Sequence, residues 1–167
     1  DAVAAADVTV SQAEQPFAVT AGLTDPDGAL ALIGLIEGRW SARACADVGI
    51  VQLCGTSPVV VLLEQTVGVR VDLAASGTIE GTFTAADGTP LGAAQISIGG
   101  IGYAASDDSG AFSVPGIPLG TYTVSASNPV SGRYAETEAT LSFDGEVAAV
   151  LLVEERLGDV RGSVIGN

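Results

Sequence analysis

The chain has 167 residues, 47% of them apolar, and 20 acidic side chains outnumber six arginines, for a formal net charge of −14. This acidity argues against nucleic acid as a partner, because phosphates need a basic face, and against anionic membranes. Histidine and lysine are absent, so the usual general bases are missing, and we expect no enzyme and no catalytic site. The longest apolar runs fall far short of the roughly 20 residues of a membrane span, so we expect no membrane insertion.

In chain order, the first predicted strands flank Asp25-Pro26-Asp27-Gly28, a sequence typical of a turn. We predict strands at 7–11, 17–23, 29–32 and 39–44. An irregular stretch follows near 51–53, and the residues from 58 to 73 form an extended segment with a break near Glu64.

The second half of the chain contains seven short apolar segments separated by turn residues, which is typical of an all-β sandwich. Tyr122, Val124 and Ala126 alternate with hydroxyl residues, as in a half-buried strand. Glycine and proline predict turns at 107–110 and 115–120. The predicted strands are 78–84, 94–98, 103–106, 111–114, 121–126, 134–141 and 146–153.

The two halves repeat one unit. Asp25–Ala29 returns as Asp107–Ala111, 82 residues later, and six of the 22 positions in Thr24–Cys45 are identical at that offset. A fixed period indicates an array of one structural unit. We therefore predict two tandem immunoglobulin-like seven-stranded β-sandwiches, the first repeat at 1–74 and the second repeat at 77–153.

The opening segment of the repeat occurs twice, but neither copy lies at the start of the first repeat. Gly77–Gly81 opens the second repeat, and Gly158–Gly162 has the same pattern, but no such segment opens the first repeat. We expect the first sandwich to lack its own first strand and residues 158–167 to be a surplus first strand that completes the first repeat of the next copy. The chain has no methionine, so we also expect that a signal peptide has been removed or that this is a segment of a longer protein.

Two cysteines, Cys45 and Cys54, lie nine positions apart, and their equivalents in the second repeat are Ser127 and Glu136. This spacing places the two cysteines opposite each other across a predicted hairpin, which predicts a disulfide and an oxidising compartment. Two free buried thiols are the alternative. We expect no metal site, because no histidine or further cysteine could complete one.

The Asp-rich turns and the aromatic residues each have two interpretations. Asp25–Gly28 and Asp107–Gly110 offer clustered oxygens for a weak calcium site, but they lack the EF-hand pattern and contain the residues that a tight turn needs. Trp40 and Tyr122 occupy the same place in the repeat, which favours a core role over a sugar-stacking surface.

Four segments of the second repeat carry a family resemblance: Gly77–Gly81, Asp87–Ala93, Asp107–Gly110 with Phe112, and Gly116–Tyr122. In this order they resemble the carboxypeptidase regulatory-like domain family, prealbumin-like β-sandwiches of bacterial surface proteins. The first repeat matches more loosely. The resemblance implies a non-catalytic spacer, stalk or adhesion module without a cofactor. Related surface domains can carry Lys–Asn isopeptide cross-links, which a chain without lysine cannot form.

Our leading hypothesis is a structural subunit of a secreted, extracellular filament, whose partners are identical copies joined head-to-tail by donor-strand complementation. The donor strand would comprise Asp159, Val160, Arg161, Gly162, Ser163, Val164 and Ile165. Val160 and Val164 would face the acceptor core, as Ile79 and Phe83 are expected to do in the second repeat.

Two alternatives stay open. The chain could be a segment of a long tandem-repeat cell-surface stalk or adhesin, in which the missing strand is supplied covalently. It could also be a ligand-binding accessory module of a secreted enzyme. The sequence separates a filament subunit from a stalk poorly, because the contact between neighbouring units would be nearly the same.

Overall fold

Strands, turns and loops make up the part of the chain that this computed structural model describes, which is residues 2–13, 18–63, 65–156 and 161–163. These residues contain three β-sheets, so the predicted all-β fold is confirmed. The twelve strands found there are β1 (Asp7–Gln12), β2 (Ala18–Leu23), β3 (Gly38–Val48), β4 (Val51–Thr56), β5 (Val60–Leu62), β6 (Ser76–Thr84), β7 (Gln95–Ile98), β8 (Gly102–Ala105), β9 (Ala111–Pro118), β10 (Gly120–Ser127), β11 (Tyr134–Leu141) and β12 (Val147–Val153).

The first repeat forms one five-stranded sheet in the order β2-β1-β3-β4, with β5 also paired to β3. All of its pairings are antiparallel, and Val8 on β1 lies opposite Ala44 on β3. Residues directly opposite each other share a face, so Val8, Ala44 and the buried Trp40 belong to one apolar face of the sheet.

The second repeat forms two sheets, a four-stranded one in the order β11-β10-β7-β8 and a three-stranded one in the order β12-β6-β9. Side chains from both sheets are fully buried, as expected for the core of a sandwich. They include Ile79 and Phe83 on β6, Ile96 and Ile98 on β7, Val124 on β10, and Leu152 on β12.

Several predicted elements were wrong in detail. The residues from 115 to 118, predicted as a turn, continue strand β9. An edge strand tolerates proline because one row of its N–H groups needs no partner. The stretch near 51–53 is regular, because β4 pairs residue by residue with β3. The segment 29–32 is not a strand, and of 58–73 only β5 is one, so the described first repeat has five strands and a single sheet.

The backbone divides into two compact units. One comprises the chain up to Thr78 together with Val114–Gly120 and Leu141–Val147, and the other comprises Ile79–Ser113, Thr121–Thr140 and the chain from Ala148 onward. The boundaries that we derived from the sequence repeat, 1–74, 77–153 and 158–167, remain predictions.

The two repeats share a hydroxyl contact that fixes their alignment. Thr24 Oγ1 donates to the Val3 carbonyl (2.7 Å) and accepts from the Ala6 N–H (2.9 Å). Ser106 Oγ makes the same two bonds in the second repeat, donating to the Leu91 carbonyl and accepting from the Ala94 N–H, both at 3.0 Å.

Backbone geometry at the same place supports this alignment. Ala5 and Ala93 are the non-glycine residues of the described chain with positive φ, at 54° and 53°. The segment from Val3 to Ala6 is therefore equivalent to that from Leu91 to Ala94. The offset between the repeats is 88 here and 82 further on, because the β1–β2 hairpin, counted from Asp7 to its partner Leu23, is six residues longer than the β7–β8 hairpin, counted from Gln95 to its partner Ala105.

Candidate functional site: an apolar groove in the first repeat

A large groove lies along the apolar face of the five-stranded sheet. Its volume is about 1030 Å³, and the described residues that line it all belong to the first repeat. This volume reaches the upper end of the roughly 300–1,000 Å³ that is usual for small-molecule sites. The apolar side chains that line it include Val8, Val10, Leu30, Leu32, Ile36, Trp40, Val60, Leu62, Val67, Val69, Val71 and Leu73.

Two chain segments form the walls of the groove. The first wall, residues 29–36, is equivalent to β9 at the offset of 82, because the Asp25 and Asp107 turns that precede these segments make the same hydrogen bonds. The second wall, residues 66–73, ends where the Ala74 N–H donates to the Cys54 carbonyl at 3.1 Å. This bond matches the one from the Glu155 N–H to the Tyr134 carbonyl at 3.2 Å, so the second wall is equivalent to β12. The expected equivalence of Cys54 with Glu136 was therefore wrong, because this match aligns Cys54 with Tyr134.

In the second repeat, β6 lies between β9 and β12 and is hydrogen-bonded to both. It places Ile79 and Phe83, both 0% exposed, in the core. Among the described residues of the first repeat, no strand takes this place. The groove therefore lies where the central strand of the three-stranded sheet lies in the second repeat, and the two walls lack the partner that would make them strands.

The walls present apolar side chains that are only partly covered. Ile36 is 59% exposed, Val67 38% and Val69 41%. In the second wall, valines and a leucine alternate with Gly68, Arg70 and Asp72, which is the pattern of a strand with one apolar face. We did not expect this wall to be part of a site, although its alternation of apolar and polar residues is visible in the sequence.

Trp40 lies at the base of the groove and is buried, which confirms the core role expected from its place in the repeat. Its indole Nε1 donates to the carbonyl of Ile36 at 3.0 Å and so ties β3 to the first wall. It is the only tryptophan of the chain, so its fluorescence reports on this groove.

The predicted disulfide between Cys45 and Cys54 is confirmed. The two residues face each other across the β3–β4 hairpin with a Cα–Cα distance of 4.1 Å. Next to this bond, Gly55 packs against the second wall so closely that a Cβ there would overlap the Asp72 carbonyl. Arg43 also donates a guanidinium N–H to Cys54 Sγ at 3.2 Å. The disulfide thus braces the strand that anchors one end of the second wall.

The predicted donor strand falls mostly outside the described residues, which exclude Asp159, Val160, Val164 and Ile165. Arg161, Gly162 and Ser163 are described; they are exposed and do not belong to a strand. These three described residues do not line the groove, and the role of the donor segment remains a prediction.

The Asp-rich turns serve the backbone. Asp25 Oδ1 accepts from the N–H groups of Asp27 and Ala29, each at 2.9 Å, and Asp107 Oδ1 accepts from Ser109 and Ala111 in the same way. The Ser109 hydroxyl, followed by the Ala111 N–H, holds the pKa of the Asp107 carboxyl below its usual value. Within the described part of the chain, no group of three or more acidic or cysteine side chains could hold a metal ion.

In the ranges that the structure describes, we find no helix that is long and apolar enough to cross a membrane.

Structural comparison shows a fold shared with bacterial pilins. The minor pilin of Streptococcus agalactiae is similar over 97% of this chain and 88% of its own, with a TM-score of 0.52 and 13% identity. A variant of the shaft pilin SpaA from Lactobacillus rhamnosus GG is similar over 94% of this chain and 87% of its own, with a TM-score of 0.51 and 16% identity. No curated protein matches the chain by sequence.

A comparison with protein families finds a match within the second repeat. Residues 78–151 match the family described as the carboxypeptidase regulatory-like domain, which confirms the resemblance carried by Gly77–Gly81 and the turns that follow it. The second repeat therefore resembles the carboxypeptidase regulatory-like domain over residues 78–151, and the chain shares the β-sandwich fold of the two pilins.

Proposed function

We propose that the chain is a structural subunit of a secreted, extracellular filament, in which each copy supplies a β-strand to the groove of the next. The observation that carries this proposal is the groove of the first repeat. It corresponds to the position that β6 occupies in the second repeat, and its walls are the equivalents of β9 and β12. The donor is Asp159–Ile165, whose Val160, Gly162 and Val164 correspond to Ile79, Gly81 and Phe83.

Physical chemistry favours such an exchange. Unpaired sheet edges and exposed apolar walls are liabilities that a strand of suitable pattern would remove. Each valine buried by the donor contributes at most about 1.5–3 kcal/mol, in addition to the backbone hydrogen bonds along both walls. The contact joins two different surfaces and does not close on itself, so it propagates as a fibre of identical copies.

Two further observations support an extracellular filament. The disulfide between Cys45 and Cys54 suits an oxidising compartment outside the cytoplasm. Two proteins with TM-scores above 0.5 to this chain are pilins, one described as a minor pilin and one as a shaft pilin. At their low identity, they support the fold on which the proposal is built.

A tandem-repeat stalk is the second candidate, because the same groove could receive a strand from the same polypeptide. Denaturing gel electrophoresis of the native material separates the two. A band near 16.5 kDa supports separate subunits, and a very large one supports a stalk.

The proposal is tested by deleting residues 158–167 and comparing the full and shortened chains by light scattering and electron microscopy. We expect filaments from the full chain and monomers from the shortened one, with circular dichroism showing that both are folded. Val160→Asp should prevent assembly because it places a charge in the acceptor core, whereas Ser163→Ala should assemble normally. Normal filaments from the shortened chain would rule out the proposal.

A further inference from the structure

Hydrogen bonds in the second repeat define how β6 lies against β12. The Thr78 N–H donates to the Glu146 carbonyl, and the Glu154 N–H donates to the Thr84 carbonyl, both at 2.8 Å. The residue numbers of the bonded groups increase in the same direction on both strands, so β6 and β12 are parallel. In this register Gly81 lies opposite Val150.

Gly81 is one of two positions of β6 that admit no side chain; the other, Gly77, lies near the start of the strand. A Cβ at Gly81 would overlap the Val150 carbonyl and would lie 2.8 Å from Val150 Cγ2 and 2.9 Å from Phe112 Cζ. These contacts come from β12 on one side and β9 on the other, so neither neighbour could move away without disturbing the sheet or the core.

The first repeat has residues equivalent to those that surround Gly81. The bond from Ala74 to Cys54 aligns the second wall with β12, so Val69 is equivalent to Val150. On the first wall, Leu30 is equivalent to Phe112 at the offset of 82, and both Val69 and Leu30 line the groove. The empty position between them is therefore the equivalent of the Gly81 position.

From this correspondence we infer that the donor strand runs parallel to the second wall, residues 66–73, with Gly162 opposite Val69 and Ser163 opposite Arg70. The inference rests on the proposed function and adds the polarity, the register and the residue that sets them. A slip of one residue would turn Arg161 into the core. A slip of the donor strand by two residues would keep its apolar side chains on the core face. It would, however, put Val160 or Val164 opposite Val69, at the position where only glycine fits. Gly162 is thus the specificity-determining residue of the interface.

The register is tested with cysteine pairs in the full chain. Ser163 and Arg70 lie on the outward side of the two strands, where parallel neighbours are about 4.8 Å apart, within the range of a disulfide. The chain with Ser163→Cys and Arg70→Cys is assembled, oxidised mildly and run on a denaturing gel. The native cysteines are already bonded to each other and do not compete. Matched controls combine Ser163→Cys with Gly68→Cys or with Asp72→Cys, each two residues from the inferred partner.

We expect a ladder of covalent multimers from the Arg70 pair, with at least tenfold less cross-linking from either control. A stronger ladder from the Gly68 or the Asp72 pair would overturn the register and leave donor-strand assembly standing. Filaments without any ladder would overturn the placement of the donor beside the second wall. If neither filaments nor ladders form, the proposed function fails together with this inference.

Discussion

In each repeat a single hydroxyl group holds in place the segment that precedes β1 or β7. Thr24 and Ser106 each bond to one backbone carbonyl and one backbone N–H, and the N–H groups belong to the buried residues Ala6 and Ala94. Buried backbone groups need such partners, since leaving one unsatisfied costs most of its desolvation penalty. The sequence contained a signal for this contact, because a hydroxyl residue precedes the aspartate of the turn in both repeats.

We predict that Ser106→Ala lowers the free energy of unfolding by about 1–3 kcal/mol, because the buried Ala94 N–H loses its side-chain acceptor. Denaturant unfolding followed by circular dichroism measures the change. Ser113→Ala is the matched control: Ser113 is exposed on β9, so its effect should stay within about 0.5 kcal/mol. Equal effects of the two changes would contradict the assigned role of Ser106.

Glu154 is a buried acidic residue of the second repeat, held by three side chains. Its carboxylate accepts from the Ser131 hydroxyl at 2.7 Å, from Asn128 Nδ2 at 3.0 Å and from Arg133 Nη1 at 3.5 Å. The Ser131 hydrogen bond, and to a smaller degree those from Asn128 and Arg133, holds the pKa of Glu154 below its ordinary value. The charged form is therefore the one that the folded state favours.

This pKa shift predicts a pH dependence with a definite sign. The folded pKa lies below the unfolded value of about 4.5, so the contribution of Glu154 is fully present above that pH and is lost as the pH falls through the folded pKa. Unfolding free energies of the wild type and Glu154→Gln should therefore differ at pH 7 and converge toward pH 3. A difference that stays constant or grows on acidification would contradict this.

The β3–β4 hairpin with its disulfide is the braced element of the first repeat. We predict that replacing Cys45 and Cys54 together by alanine lowers the stability of the first repeat by about 2–3 kcal/mol, the value for closing a short loop in the chain-entropy model. Unfolding followed by Trp40 fluorescence measures it, because Trp40 lies on the same strand. Adding a reductant should destabilise the wild type and leave the variant unchanged; unchanged unfolding of the variant would contradict the prediction.

At the level of elements, the sequence predicted what local chemistry decides. Turn residues located the strands of the second repeat, and the spacing of the cysteines predicted a hairpin disulfide. The sequence could not predict that β9 continues through Pro115–Pro118, because this continuation depends on the position of β9 at a sheet edge. Nor could it predict that residues 29–32 and 66–73 are not strands, because their strand-like patterns need a partner between them. The donor segment itself remains a prediction from sequence alone.

At the scale of the whole molecule, net charge sets how readily copies meet. Each carries a formal charge of −14, so two copies repel each other before any strand is exchanged. We predict that assembly quickens when salt rises from about 10 mM to about 150 mM, because the Debye length falls from about 30 Å to about 8 Å. Light scattering against time measures the rate, with a neutral osmolyte as the control. Assembly that slows with salt would show that attraction between charges drives it.

Filling the groove with a strand in solution tests the central claim most directly. A peptide with the sequence of residues 158–167 is titrated into the chain that lacks them, and the heat of binding is recorded at several temperatures. The account predicts saturable one-to-one binding with a negative heat-capacity change, since apolar surface is buried, and a higher melting temperature of the complex. A peptide carrying Gly162→Val should bind at least tenfold more weakly. The absence of binding, or equal binding of the two peptides, would contradict the claim that this groove is completed by the strand of a neighbouring copy.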